Sequence, residues 1–594
     1  MSIVTNYVNW MMGVLLAVTM TAAAQDSTPT PENSQPVAAT QPSAAQGQST
    51  PAPPTTMDQV VDRVVVREKD LVKFLSSRTP IVETYLQNLT QDAQLGPVPQ
   101  SDRYFLGRMD LSDSIDRNDF LRDENKGESM EKRLMGGLTK KFKFQYQPLG
   151  FSWMIFADRN DFDRQHYNFH YSRREFLGDV RCIVFDVTPK KTAGRGRFLG
   201  RIWVEDQDFS IVRLNGTYSR APRNSYYFHM DSWRLNLTPG FWVPAYIYSE
   251  EGDFTAGAKN KIAFKAQTRL WGYNLKPGSQ NDELTNIRVD SVKDDTPAEQ
   301  DATPLAAERE WQQQAEDNVL ERLQRAGLLA PEGDLDKILQ TVVNNIEITN
   351  NIELPRPVRT RVLTTSPLET FSVGNTIVLS RGFIDVLPDE GSLAMVLSHE
   401  LAHIVLGHNL GSKYAFNDRM LFSDEGTYQN FGFKHIPEEE AAADKKAIEL
   451  LRNSPYAQKL DSAGLFIKAL DARAPQLSAL LQAHLGNNIA ENGRVTRMAA
   501  LAASAPALDW NKLDQIAALP LGGRVKLSPW DDRVEIVKAQ PVTITSARDK
   551  MPFEVTPFYP RLVRYNSTIN PAATTAAAST PAATTAKASP DPTN

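Results

Sequence analysis

The 594-residue sequence predicts an α+β multidomain chain: a large antiparallel sheet or open barrel, then a mainly helical domain with a small edge-strand sheet of its own. Three observations carry that expectation. From Pro80 to about Tyr273 the apolar positions alternate in short runs separated by Gly, Pro, Asn and Asp, the period-two pattern of half-buried antiparallel strands. Beyond Glu308 helical spacing dominates, interrupted only by brief strand-like runs. Finally, three of the eight histidines, His399, His403 and His408, fall within ten residues.

Taken in order, residues 1–24 hold a short apolar stretch, Met11 to Met20, ending in Ala22, Ala23 and Ala24, the small-x-small pattern of a secretory cleavage site. No Lys or Arg precedes it, so an uncleaved anchor is the alternative reading. Residues 25–56 and 567–594 are Pro, Ser, Thr and Ala-rich with almost no large apolar side chain, so neither segment buries enough surface to offset its ordering entropy. Residues 57–295 form the expected β-rich domain, opened by a helix with Val60, Val61, Val64, Val65 and Leu71 on one face. Its strands are expected at Ile81–Leu86, Val180–Val187, Phe198–Val204, Ser210–Leu214, Tyr226–Met230, Phe241–Tyr248 and Lys261–Ala266.

A linker helix within 296–334 leads to the helical domain, 335–510, with strands at Arg359–Leu363 and Thr376–Ser380. Residues 511–566 return to strands, either as a small appendage or joined to the first sheet.

Composition narrows the function classes. Charged residues at 23% and hydrophobic ones at 41% exclude a polytopic membrane protein and a wholly disordered chain. A net charge of −6 with no basic block argues against nucleic acid as a partner. The single cysteine, Cys182, excludes an intramolecular disulfide, a cysteine-rich zinc cluster and a thiol redox pair, so a metal must be held by His, Asp or Glu.

The histidine cluster reads Ser398-His-Glu-Leu-Ala-His-Ile-Val-Leu-Gly-His408, set among apolar residues at helical spacing. His399 and His403 project from one face one turn apart, where two imidazoles reach one metal ion, and Glu400 lies beside the open coordination position as a general base. The third ligand decides the class. The elongated metzincin pattern needs Gly at 406 and His at 409, where this chain has Leu406 and Asn409. A carboxylate on a later helix is the other common solution, and Pro437 to Leu451 opens with proline and an acidic turn in which Glu440 and Asp444 share a face.

These residues resemble the M48 peptidase family: His399-Glu400-Leu401-Ala402-His403 and then Glu440-Ala441-Ala442-Ala443-Asp444 match its two motifs, and Val373 to Leu387 is similar to its lead-in of edge strand, Gly turn and short helix. The resemblance covers about Leu335 to Leu501 and implies a zincin-type metallopeptidase fold with one Zn2+ held by His399, His403 and Glu440. It also implies Glu400 as general base and Asp444 as a carboxylate orienting a ligating imidazole. His408 then looks like a structural hydrogen bonder, and Arg497 like the family's arginine, in a structural or transition-state role. The family's downstream His-Pro-Pro is missing; the corresponding stretch is Glu491 to Arg497. The strands around Gly200 to Asp206 and Ile211 to Leu214 weakly resemble the lipoprotein-carrier (LolA-like) half-barrel.

The expectation is an exported metalloendopeptidase, periplasmic or extracellular, acting on protein or peptide substrates, with envelope or outer-membrane proteins as possible partners. The alternative is an envelope binding or chaperone-like protein whose β domain carries an apolar ligand or client over a latent peptidase site. A third reading makes the β domain an autoinhibitory or assembly module. The aromatic-rich connection 409–436 is expected to be either a lid over the metal or plain packing.

Overall fold

A computed structural model describes residues 53–111, 116–119, 151, 153–194, 196–219, 228–251, 263–273, 304–408, 426, 428–429, 431–528, 530, 532–537, 543–550 and 552–565. The expected signal, residues 25–52 of the first tail, the whole of the second and most of the connection 409–436 lie outside them. Helix α1 (Met57–Leu75) starts where the Thr56 hydroxyl accepts from the Gln59 N–H, and buries its valine and leucine face.

Ten strands follow: β1 (Ile81–Asp92), β2 (Gly96–Asp110), β3 (Asp116–Asp119), β4 (Tyr167–Leu177), β5 (Val180–Pro189), β6 (Arg197–Glu205), β7 (Ile211–Ser219), β8 (Phe228–Thr238), β9 (Phe241–Glu251) and β10 (Ala263–Trp271). They form one antiparallel sheet in the order β3-β2-β1-β10-β9-β8-β7-β6-β5-β4, in which β3 and β4 are the unclosed edges. The sequence pattern missed β2, the four-residue β3 of Asp, Arg, Asn and Asp, and β4. β2 carries two prolines and a polar centre, while β4 is an edge strand whose residues are mostly exposed, so neither shows clean alternation. At Gly200 and Gly216, paired across β6 and β7, an added Cβ on either would lie 2.7 Å from the other's Cα, so only glycine permits this close crossing.

Both faces of the sheet are covered. One carries Val82, Leu86, Ile183, Phe185 and Ile202 and packs under α1. The other carries Ile81, Tyr85, Val184, Trp203 and Trp271, and these belong to the same apolar core as the helical half. That half comprises α2 (Pro304–Arg325), α3 (Asp334–Thr349), β11 (Arg359–Leu363), β12 (Thr370–Val373), β13 (Thr376–Ser380), α4 (Arg381–Val386), α5 (Glu390–Leu406), α6 (Pro437–Arg452), α7 (Leu460–Arg473) and α8 (Ala499–Ser504). Its three-stranded sheet runs β11-β13-β12, with β11 parallel and β12 antiparallel to the central β13. A two-residue hairpin, β14 (Ala490–Glu491) with β15 (Arg494–Val495), precedes α8.

The polar residues of β1 that face the helical half lock the two together. Glu83 accepts from Ser366 N and Oγ, from the Tyr104 hydroxyl and from Arg381. Arg381, fully buried at the start of α4, also donates to Thr364 O and Ser366 Oγ and lies 3.5 Å from the buried Asp385 carboxylate. Asp385 in turn accepts backbone N–H bonds from Gly522, Arg524 and Val525.

The C-terminal segment therefore does not stand apart. Its hairpin, β16 (Val525–Leu527) with β17 (Val534–Ile536), follows residues anchored on α4, and Phe553 O and Val555 N bond to the buried Gln87 side chain of β1. The physical reason is that β1 presents buried polar side chains on that face, and the returning backbone supplies their partners.

Two outcomes follow. Arg381→Met should cost about 3–5 kcal/mol in a denaturant titration, because it strands Glu83 and Asp385 as buried charges. Deleting residues through about 300 should give a chain without a cooperative melting transition, since Ile81, Trp203 and Trp271 are removed from a shared core. Increased activity in that truncation would instead support an autoinhibitory sheet.

Candidate metal centre

Helix α5 is capped at its start by Asp389, whose Oδ1 accepts from Ser392 N at 2.8 Å, and ends at Gly407, whose φ of 69° suits a residue without a side chain. His399, Glu400 and His403 are buried on it. Helix α6 begins with Pro437 at its first turn and places Glu440 opposite them.

The donor atoms converge. His399 Nε2 lies 3.2 Å from His403 Nε2, 3.3 Å from Glu440 Oε2, and His403 Nε2 lies 3.4 Å from Glu440 Oε1. A tetrahedral zinc ion bonded at about 2.0–2.1 Å separates its ligand atoms by about 3.3–3.4 Å; the two imidazole nitrogens stand at that spacing, and each has a different oxygen of the Glu440 carboxylate at the same range. Two imidazoles and a carboxylate are also a donor set suited to zinc, and they form the metal-capable group among the described residues.

The surrounding groups hold this arrangement. His399 Nδ1 lies 2.9 Å from Asp444 Oδ1, and Asp444 Oδ2 accepts from Met498 N. His403 Nδ1 lies 3.1 Å from His408 Nδ1, so the structure puts His408 behind the ligating ring rather than at the metal position. Arg497 reaches both acidic residues, 3.6 Å from Glu400 Oε1 and 3.5 Å from Glu440 Oε2. Glu400 Oε2 is buried and has no hydrogen-bond partner among the described residues.

Burial alone would raise the Glu440 carboxyl, but the His399 and His403 imidazoles and the Arg497 guanidinium hold it well below the usual carboxylate range. For His399, burial and Arg497 push downward, and the carboxylates of Asp444, Glu440 and Glu400 outweigh them and raise it. Burial lowers His408. All of the expected site residues, His399, Glu400, His403, His408, Glu440, Asp444 and Arg497, thus lie together.

Two neighbours were missed. His435 stacks on His403 with ring centroids 3.9 Å apart and bonds Glu439, and burial, then His403, lowers it. Asn487 donates to Glu440 Oε1 at 2.7 Å. His435 sits two residues before the helix-starting Pro437, the one local hint of its place; Asn487 carried no signal, being 47 residues from its partner.

The site thus combines a HExxH motif on one helix with a carboxylate from the next, a group that could hold a metal ion. Residues 330–432 match the model of Peptidase family M48. That match includes His399, Glu400 and His403 and ends before Glu440. No curated protein matches the chain. Among solved structures it is similar to a putative outer membrane lipoprotein-sorting protein domain from Vibrio parahaemolyticus, with 8% identity, 36% of this chain and 91% of that chain covered and a TM-score of 0.20. A DUF1329 family protein from Desulfovibrio piger matches at 10% identity, with 36% and 90% covered and a TM-score of 0.18. A LolA superfamily protein from Nitrosomonas europaea matches at 8% identity, with 37% and 93% covered and a TM-score of 0.19. No helix among the described residues is long and apolar enough to cross a membrane.

One buried acid near the site yields a pH dependence. Glu369, just before β12, accepts from Leu485 N and Gly486 N, and burial pushes its carboxyl up to about 7 from 4.5. Its folded value is raised, so its contribution to stability is complete below about 4.5 and is lost as pH rises through about 7. Glu369→Gln should therefore gain stability relative to the parent between pH 5 and pH 9 in urea titrations, about the reverse of what a depressed carboxylate would give.

Proposed function

We propose that the protein is an exported zinc metalloendopeptidase that hydrolyses peptide bonds in envelope protein processing or quality control. The observation that supports it is the convergence of His399 Nε2, His403 Nε2 and the Glu440 carboxylate, one of its oxygens within 3.4 Å of each imidazole nitrogen, with Glu400 beside them. A zinc ion held by these three side chains would supply Lewis acidity, acidifying a water and polarising the scissile carbonyl.

The chain's own residues do the rest. Glu400 takes the proton of the attacking water at its unpartnered Oε2 and returns it to the leaving amine, while Arg497 steadies the other carboxylate oxygen. Asp444 fixes the ring of His399 from behind, and His408 does the same for His403. Burial of His399, His403 and Glu400 keeps bulk water from competing with the substrate. Export is supported by the apolar stretch and alanine triplet near the N-terminus.

Purified protein should contain zinc, and Glu400→Gln should keep it while losing at least about a hundredfold in cleavage of an unfolded protein. His403→Ala should lose metal and cleavage together. Full proteolysis by Glu400→Gln would falsify the assignment.

A further inference from the structure

The loop between α7 and the hairpin β14–β15 is held from several directions before it reaches the metal centre. At its start, Asp102 on β2 of the N-terminal sheet accepts from Ala479 N at 2.9 Å and Leu480 N at 2.8 Å, and is itself bonded by the Tyr85 hydroxyl at 3.0 Å. Midway, Glu369 accepts from Leu485 N and Gly486 N, and Leu485 O accepts from Phe433 N. Gly486 passes so close to β12 that an added Cβ would lie 2.5 Å from Thr370 O.

The next residue is Asn487. Its Oδ1 accepts from His435 N at 2.9 Å, and its Nδ2 donates to His435 O at 3.1 Å and to Glu440 Oε1 at 2.7 Å. Its carbonyl accepts from Arg497 Nη2, the same nitrogen that lies 3.5 Å from Glu440 Oε2. Each oxygen of Glu440 therefore has its own partner, Asn487 on Oε1 and Arg497 on Oε2. The carboxylate is the one expected ligand that does not sit on α5, so its rotamer has to be set by something outside that helix.

We propose that Asn487 is a positioning residue for the metal-binding carboxylate of Glu440, and that the loop carrying it takes its place from the N-terminal sheet through Asp102. The inference rests on the metallopeptidase reading above and extends it: the sheet contributes to metal affinity as well as to the shared core. An amide is suited to this position because it offers an acceptor to the His435 N–H and a donor to Glu440 at once. Aspartate in its place would keep the first bond and turn the second into a repulsion.

The test is zinc affinity of the full chain, measured by competition with a chromophoric chelator, alongside melting of the metal-free forms. Asn487→Ala should bind zinc about tenfold to a hundredfold more weakly with a nearly unchanged melting curve. Asn487→Asp should be at least as weak, although it is the isosteric variant. Asp102→Asn should weaken zinc binding in the same direction, and Tyr85→Phe, a milder change at the same carboxylate, serves if Asp102→Asn does not fold.

Zinc affinity within about twofold of the parent in both Asn487 variants would overturn the positioning role, as would recovery in Asn487→Asp, which would confine the amide to holding residue 435. Weak binding in the Asn487 variants with unaltered binding in the Asp102 and Tyr85 variants would overturn the part assigned to the sheet. A parent chain that binds no zinc overturns the metallopeptidase reading itself, and is told apart because the parent fails rather than the variants.

Discussion

A guanidinium with no exposure to solvent has to find anionic partners, and the arrangement of this molecule follows from how Arg381 finds them. Its charge is met by Glu83, from the first strand of the large sheet, and by Asp385, one turn along its own helix. Neither carboxylate is left over: Glu83 also takes both groups of Ser366, and Asp385 takes three backbone N–H groups of the C-terminal segment. Desolvating a cation and two anions costs several kcal/mol per ion unless the geometry repays it, so this cluster forms only when three distant stretches of chain meet together. The apolar residues around it supply the driving force; the charges select the register in which they meet.

That register carries through to the chemistry. Arg381 opens α4, which leads through Asp389 into α5 and its two histidines. From the other side, Asp102 of the same large sheet receives the loop whose Asn487 donates to Glu440. The metal centre is thus approached by two routes that both begin on the sheet. In this setting the sheet acts as scaffold for the peptidase half, whatever else its outer edges do.

Within the centre itself, attraction among unlike groups substitutes for a rigid local backbone. Glu440 is held low by two imidazoles and a guanidinium, and Asp444 stands behind His399. Glu400 Oε2 is buried without a hydrogen-bond partner among the described residues, as a group kept available for proton transfer would be.

Local rules sufficed for much of this. Short apolar runs between turn signals identify β5, β6 and β9 because these interior strands bury side chains on both faces of the sheet. The His399–His403 spacing and the acid turn after Pro437 identify the donor set because each lies within a single helix, where sequence distance is spatial distance. The edge strand β4 and the proline-bearing β2 were illegible because their pairing is decided by neighbours rather than by their own pattern.

His435 and Asn487 were illegible for a related reason: a hydrogen bond across 47 residues leaves no periodic trace. The sequence by itself determined most of the elements and brought His399, Glu400, His403 and Glu440 forward as one candidate group. Only the tertiary structure decided that sheet, helices and C-terminal segment share one core, because buried charges such as Glu83 and Arg381 declare their partners only when the chain has brought them together.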